Sequence, residues 1–241
     1  MKLYKRSLYL QARDQILDII NSESEFMAKL PSEQELADRL DVSRNTIREA
    51  IKVLESEGYV IARHGIGTFV IRDKDNIRTN IANLDSSTKI IACHGYKPGT
   101  HSVSTAVTPA TDRAARELKL KEDDRIFYIE RVRTADGKPV VYVEDYIPYS
   151  DGMEKKYLHE YHESLLAFLN SFNYGVSFAV CNISATISNE IVMDKLALTQ
   201  PTALLQLSQT HHTAIGRPVL YSDSYYVCSA FEFSVIRKAT S

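Results

Sequence analysis

Leu30-Pro31-Ser32-Glu33-Gln34-Glu35-Leu36, then Val42-Ser43-Arg44-Asn45-Thr46-Ile47-Arg48-Glu49-Ala50, then His64-Gly65-Ile66-Gly67-Thr68-Phe69-Val70 are the passages that decide the fold. Ser32 with Glu35 three residues on is a capping box, and Leu36, Ala37 and Leu40 behind it fall on one helical face. Asp41 and Val42 make a turn, Ser43 caps a second helix, and Ile47, Ala50, Ile51 and Leu54 supply its inward stripe up to Gly58, a left-handed C-cap. Arg44, Asn45, Thr46 and Arg48 are left facing outward at that helix's N-terminus. The alternation through Tyr59, Val60 and Ile61, the Arg63-His64-Gly65 tip and the Gly67-Thr68-Phe69-Val70 return describe a small hairpin.

Two helices across a tight turn followed by a hairpin predict a winged helix-turn-helix. Its second helix presents a polar front edge to the major groove, where Arg bonds guanine bidentately and Asn does the same for adenine. Gly65 lets the hairpin backbone approach a sugar-phosphate edge, with Arg63 and His64 alongside. From about Ser7 to Val70 the sequence resembles the DNA-binding domain of the GntR family of bacterial transcription regulators. That resemblance implies base or groove contacts from Arg44, Asn45, Arg48, His64 and Gly65, and phosphate contacts from Ser32, Gln34, Ser43 and Thr46. Gln34 stands where an Arg is common in relatives, so this position lacks the counterion-release contribution of a cation.

At 241 residues, with 44% hydrophobic and 25% charged residues, the chain has room for two globular domains. A net charge of -2 means that affinity for DNA must come from local cations, chiefly Arg44, Arg48 and Arg63. Cys93, Cys181 and Cys228 share no metal-ligand spacing and read as reduced thiols that pack. No apolar run approaches a membrane span and the N-terminus lacks a signal-peptide core, so a cytoplasmic protein without membrane contact is expected.

A first helix from Tyr4 to about Asn21 is expected to pack Leu8, Ile16, Ile19 and Ile20 against the other two. The charged run Arg72-Asp73-Lys74-Asp75-Asn76 reads as linker, giving a DNA-binding domain at 1–71, a linker and hinge at 72–80 and a second domain at 81–241. There the pattern predicts a strand over Ser102 to Val107, a helix over Asp112 to Leu118 and strands over Ile126 to Thr134 and Val140 to Ile147 joined at Asp136-Gly137. A helix about Ser164 to Asn170, a strand Phe178 to Ile187, a helix Glu190 to Leu196 and a hairpin on Gly216 follow. Thr134-Ala135-Asp136-Gly137-Lys138-Pro139 is echoed by Thr213-Ala214-Ile215-Gly216-Arg217-Pro218, which predicts duplicated halves with a cleft between them.

Residues from about Ile90 to Val235 are similar to the UTRA ligand-binding domain, through Gly95 to Gly99 and the Arg131-x-Arg133 pair ahead of Ala135-Asp136-Gly137. The two resemblances together point to the HutC branch of the GntR family. The implied fold class is α+β: an N-terminal winged helix-turn-helix domain, then a chorismate-lyase-like (UTRA) domain with an antiparallel sheet flanked by helices.

Arg131 and Arg133, two apart on a strand, leave on the face that also holds Phe127 and Ile129. Two converging guanidiniums call for an anion between them, so a small phosphate- or carboxylate-bearing effector is expected. The resemblance adds Ser87, Thr88 and Ser177 to that site, and Tyr226 at a position that closes over the ligand. Amino-sugar-phosphate binders carry a Glu where this chain has Val143 and Leu220, while Glu144 is one residue off register and faces away, so an anion with a less polar body is expected. His159-x-x-His162 and His211-His212 make no metal set, and His212 is expected to match Arg133 in the second repeat.

With no nucleophile-base pair, metal set or cofactor motif, the reading is a homodimeric, effector-responsive regulator and not an enzyme, most often a repressor in this family. Dimerisation through the second domain places two heads about 34 Å apart on a palindromic operator. The alternative is an enzyme of chorismate-lyase-like fold acting on a small organic acid, and a third reading is a constitutive architectural DNA binder.

Overall fold

The computed structural model describes residues 7–23, 25–71, 79–121, 124–160, 165–235 and 237. The chain divides into two compact units, residues 1–83 with 233–241, and residues 84–232. Most of the expected linker, residues 72–78, lies outside the described residues, as does Ser164.

In the first unit α1 (Leu8–Glu23), α2 (Glu33–Leu40) and α3 (Arg44–Ser56) surround one core, to which Ile16, Ile20, Leu36, Ile47, Ala50, Leu54, Val60 and Val70 contribute. Local chemistry sets the boundaries. Ser32 and Glu35 complete the capping box that starts α2, which ends on Asp41 in the left-handed conformation at φ 51°. The Ser43 side chain accepts from the Thr46 N–H to start α3. Past α3, Gly58 takes φ 77° and the Tyr59 N–H returns to the Leu54 carbonyl. Leu8, expected in the packing stripe, is instead the first residue of α1 and is 61% exposed. The hairpin β1 (Val60–Arg63) and β2 (Gly67–Val70) is widened by the 27–30 segment, whose Leu30 N–H bonds Thr68 and whose Ala28 carbonyl accepts from Val70.

The second unit is a six-stranded antiparallel sheet of β3 (Pro98–Pro109), β4 (Arg125–Ala135), β5 (Lys138–Pro148), β6 (Phe178–Ile187), β7 (Ala203–His212) and β8 (Pro218–Val227) in the order β3-β4-β5-β8-β7-β6. Counting α5 (Asp112–Leu118) and α8 (Glu190–Lys195), each half runs strand, helix, strand, strand, and the halves meet at β5 and β8 with Glu144 opposite Asp223. One face packs on α6 (Met153–Glu160) and α7 (Leu165–Ser171) through Phe127, Ile129, Ile147, Met153, Tyr157 and Phe168. Neither α6 nor α4 (Ser87–Cys93) is expected from the sequence.

The two hairpins differ where their sequences differ. Asp136 and Gly137 both take positive φ, at 50° and 84°, so Ala135 pairs with Lys138 across a two-residue turn. Ile215 replaces Asp136 and, being β-branched, avoids that region. The second turn therefore closes a residue wider, from Thr213 to Arg217, with only Gly216 left-handed at φ 78°. This slides β7 by one position: Arg133 pairs with Val141, and His211, not the expected His212, pairs with the equivalent Leu220. Nor do two of the cysteines pack as expected: Cys93, the last residue of α4, and Cys228, just past β8, are exposed, while Cys181 is half-buried.

Candidate functional site

The front edge of α3 is open. Ser43, Arg44, Asn45 and Arg48 are exposed, and Thr46 is half-buried through a 2.8 Å bond between its hydroxyl and that of Ser43. Glu33 on α2 steers the cations, bonding Arg48 at 2.8 Å and lying 3.8 Å from Arg44. Both guanidiniums stay at the surface, with 50% and 59% of their side chains exposed, so the pairing orients them without hiding them. The Arg48 bond holds the Glu33 carboxyl below the usual range. Ser32 is spent on its cap, and Gln34 donates to Asp38 at 2.8 Å. On the wing, Arg63 lies over the Phe69 ring at 5.6 Å, His64 is exposed, and Gly65 takes φ 72° with open space around it. Gly67 at φ 132° has Lys29 against it, where a Cβ would come within 2.5 Å of Cε.

The second unit holds a cavity of about 410 Å³ over the centre of the sheet. Its floor comes from the matched positions of both halves: Arg131 and Gln209, Val143 and Ser222, Asp145 and Ser224, with His211, Leu220 and Tyr226. Ser86, Ser87 and Thr88 at the start of α4, with Leu165 and Leu166 of α7, close it. Arg131, 8% exposed, bonds Asp145, 1% exposed, at 2.6 Å. Burial lowers the Arg131 pKa, but the Asp145 carboxylate, together with Tyr157 and Tyr226, outweighs it and the net shift is upward. Burial pushes His211 down, leaving a neutral ring, and pushes the Tyr226 phenol up. Arg133 stands behind the wall and donates to the hydroxyls of Thr88, at 2.7 Å, and Thr100.

Of the expected effector residues, Ser87, Thr88, Arg131 and Tyr226 line this cavity and Arg133 supports Thr88, whereas Ser177 is exposed ahead of β6 and does not line it. The anion expected between the arginines is partly internal: Asp145 on β5 supplies it. Asp145 shares the sheet face of Val143, so the cavity has an acidic group after all, and Gln209, His211, Ser222 and Ser224 make its lining more polar than expected. Alternation alone places Asp145, Ser222 and Ser224 on that face, but the β7 bulge hides His211 from any sequence register. Glu144 does face away, bonded by Tyr128 and Tyr146. His159 is exposed and His162 lies outside the described residues.

A helix-turn-helix with a cationic front edge, followed in the chain by a sheet that carries a charge-lined cavity, defines a DNA-binding protein with a ligand-binding domain. The family model for bacterial regulatory proteins of the gntR family matches residues 8–70, and that for the UTRA domain matches residues 94–232. The chain belongs to the GntR family of transcription regulators, in its UTRA-containing HutC branch. It is 31% identical over 142 residues to the regulator YurK of Bacillus subtilis, spanning 58% of each chain. It is 25% identical over 238 residues to the repressor NagR of the same organism, spanning 97% of each, and 28% identical over 141 residues to the histidine utilization repressor of Pseudomonas putida, spanning 58% of this chain and 56% of that one. Among solved structures, YydK of Bacillus subtilis superposes with a TM-score of 0.76 at 23% identity, covering 97% of this chain and all of that one. PhnF of Mycobacterium smegmatis gives 0.60 at 22% over 95% of this chain and all of that one, and both show the shared fold. These relatives are regulators, not enzymes. No described helix is long and apolar enough to cross a membrane.

Proposed function

We propose that the chain is a homodimeric repressor acting in the cytoplasm, whose hold on a palindromic operator is set by a small anionic metabolite bound in the 410 Å³ cavity. The observation that carries this reading is a cavity lined by Arg131, Ser87 and Thr88, in a chain that also presents Arg44 and Arg48 on an open helix edge. Two of the relatives are named repressors, which supports the sign of regulation. In this reading Arg44, Asn45 and Arg48 with His64 and Gly65 read the grooves, Arg63 flanks them, and Ser32, Gln34, Ser43 and Thr46 hold phosphates. Residues 72–80 are the hinge through which effector binding favours one arrangement of the heads over another.

β6 supports the dimer: it is a sheet edge with Phe178, Val180, Ile183 and Ile187 each about half exposed, 46% to 62%. A long apolar edge of this kind is normally covered, and an antiparallel copy of itself covers it symmetrically. The test is selection of operator duplexes from a random pool, then gel-shift titration of the selected duplex. Sequence-specific binding that Arg44→Ala weakens about ten- to a hundredfold, with melting temperature unchanged, is expected. Undiminished specific binding by that variant overturns the assignment of α3.

A further inference from the structure

The floor of the cavity carries polar groups that the protein itself does not satisfy. One Asp145 oxygen takes the Arg131 guanidinium at 2.6 Å, and the other has no hydrogen-bond partner among the described residues. The same holds for the hydroxyls of Ser222 and Ser224 and for the Gln209 carboxamide, all of which line the cavity. Asp145, Ser222 and Ser224 are 1%, 4% and 5% exposed, so these are buried groups and not rim groups. Asp145 on β5, Ser222 on β8 and Gln209 on β7 stand opposite one another across three neighbouring strands, in a row between those that hold Val143 and Leu220. Strands lie about 4.8 Å apart, so the row spans roughly 10 Å and no single group of a ligand reaches all of it.

A carboxylate oxygen only accepts, so whatever meets Asp145 must donate. Its other oxygen already holds a guanidinium, and an ammonium donor would be brought beside Arg131, so a neutral donor fits the place better. Hydroxyl and carboxamide side chains both donate and accept, as the alcohol groups of a ligand do. We infer that the effector carries several hydroxyl groups beside its anion, and that Asp145, Ser222 and Gln209 are the specificity residues that read them; this rests on the cavity being the effector site. Val143 and Leu220 alone favour a less polar body, but the row between them outweighs them. A ligand without hydroxyls leaves buried acceptors unpaired, and a site built to bond hydroxyls rejects the deoxygenated analogue more strongly than shape alone would.

Probes matched in carbon number test this by isothermal titration and thermal shift on the full chain at pH 7.5. In one arm the four pentonates, ribonate, arabinonate, xylonate and lyxonate, are compared with pentanoate. In the other the corresponding pentose 5-phosphates are compared with pentyl phosphate, so the arms separate the two anions that could accompany the hydroxyls. In whichever arm binds, at least one hydroxylated probe is expected to bind about tenfold or more tightly than its deoxygenated partner. Ser222→Ala and Gln209→Leu, each checked for an unchanged melting profile, are expected to weaken that probe about tenfold or more and to leave the deoxygenated one unaffected, a split that a merely structural role would not give. Deoxygenated probes that bind as tightly as every hydroxylated one overturn the inference and leave the effector site standing. Folded variants that leave the hydroxylated probe unaffected, or weaken both members of a pair alike, do the same. Binding of no probe in either arm by wild type overturns the effector reading, and the inference with it.

Discussion

Glu33 sets the electrostatics of the DNA face more than its place on α2 implies. Its carboxylate pairs with Arg48 and lies near Arg44, the two cations that phosphate and guanine would otherwise share. Replacing Arg44 with Ala removes the base contact proposed for it, for which about 1–3 kcal/mol of discrimination is usual, so operator affinity should fall about ten- to a hundredfold. Glu33→Gln should act in the opposite direction: removing a carboxylate beside the backbone raises affinity several-fold at low salt and steepens its salt dependence, read by fluorescence anisotropy between 50 and roughly 200 mM salt. Weaker binding by Glu33→Gln would instead show that the bridge is needed to aim Arg48. On the other sheet face, burial raises the pKa of Glu144, with the Asp223 carboxylate opposite adding to the shift and Tyr128, Tyr142 and Tyr146 opposing it. For a carboxyl raised on folding, the contribution is complete at acid pH and is lost as pH climbs from the unfolded pKa through the folded one. Chemical denaturation across that window should show wild type losing stability relative to Glu144→Gln; parallel pH profiles would mean that the charge is matched.

At the scale of elements, the caps carry the helix-turn-helix. Ser43→Ala removes the bond to the Thr46 N–H and should cost about 1 kcal/mol of stability by thermal unfolding, with a matching loss for Ser32→Ala in its capping box. The wing separates two glycines: Gly65→Ala meets open space and carries only the left-handed cost, about 1–2 kcal/mol, whereas Gly67→Ala also drives a Cβ into Lys29 and should destabilise more. Equal losses would show Lys29 swinging clear. These elements are legible in the sequence because each signal is local: a cap, a 3.6-residue stripe, a glycine at positive φ. The same holds for β6, whose expected bounds, Phe178 to Ile187, are those observed. What escapes is non-local or brief. The short helix α4 has no stripe long enough to register, although its Ser87 and Thr88 form the cavity mouth. Register also escapes, because one residue at a turn, Ile215 in place of Asp136, decides whether His211 or His212 meets the cavity. Asp145 was within reach by alternation, but charge reasoning on β4 alone leaves its counterion out.

For the whole molecule, affinity for an operator is a question of how many heads bind together. One winged helix with a handful of cations, in a chain of net charge -2, binds a half-site weakly. A second head joined through the effector domains binds at high effective concentration, multiplying affinity by about 10² to 10⁴ without a new contact. The exposed edge of β6 is the element proposed to join them, and Ile183 on it is 51% exposed, so Ile183→Lys alters the edge without opening the core. Lysine on an unpaired strand is a common means of preventing edge-to-edge pairing. If β6 pairs with its own copy, light scattering should find the Ile183→Lys chain monomeric with an unchanged melting profile at high concentration. Its affinity for a palindromic operator should fall about a hundredfold or more, while its affinity for an isolated half-site should match wild type. A variant that stays dimeric and holds the full operator as tightly as wild type would move the dimer contact off β6.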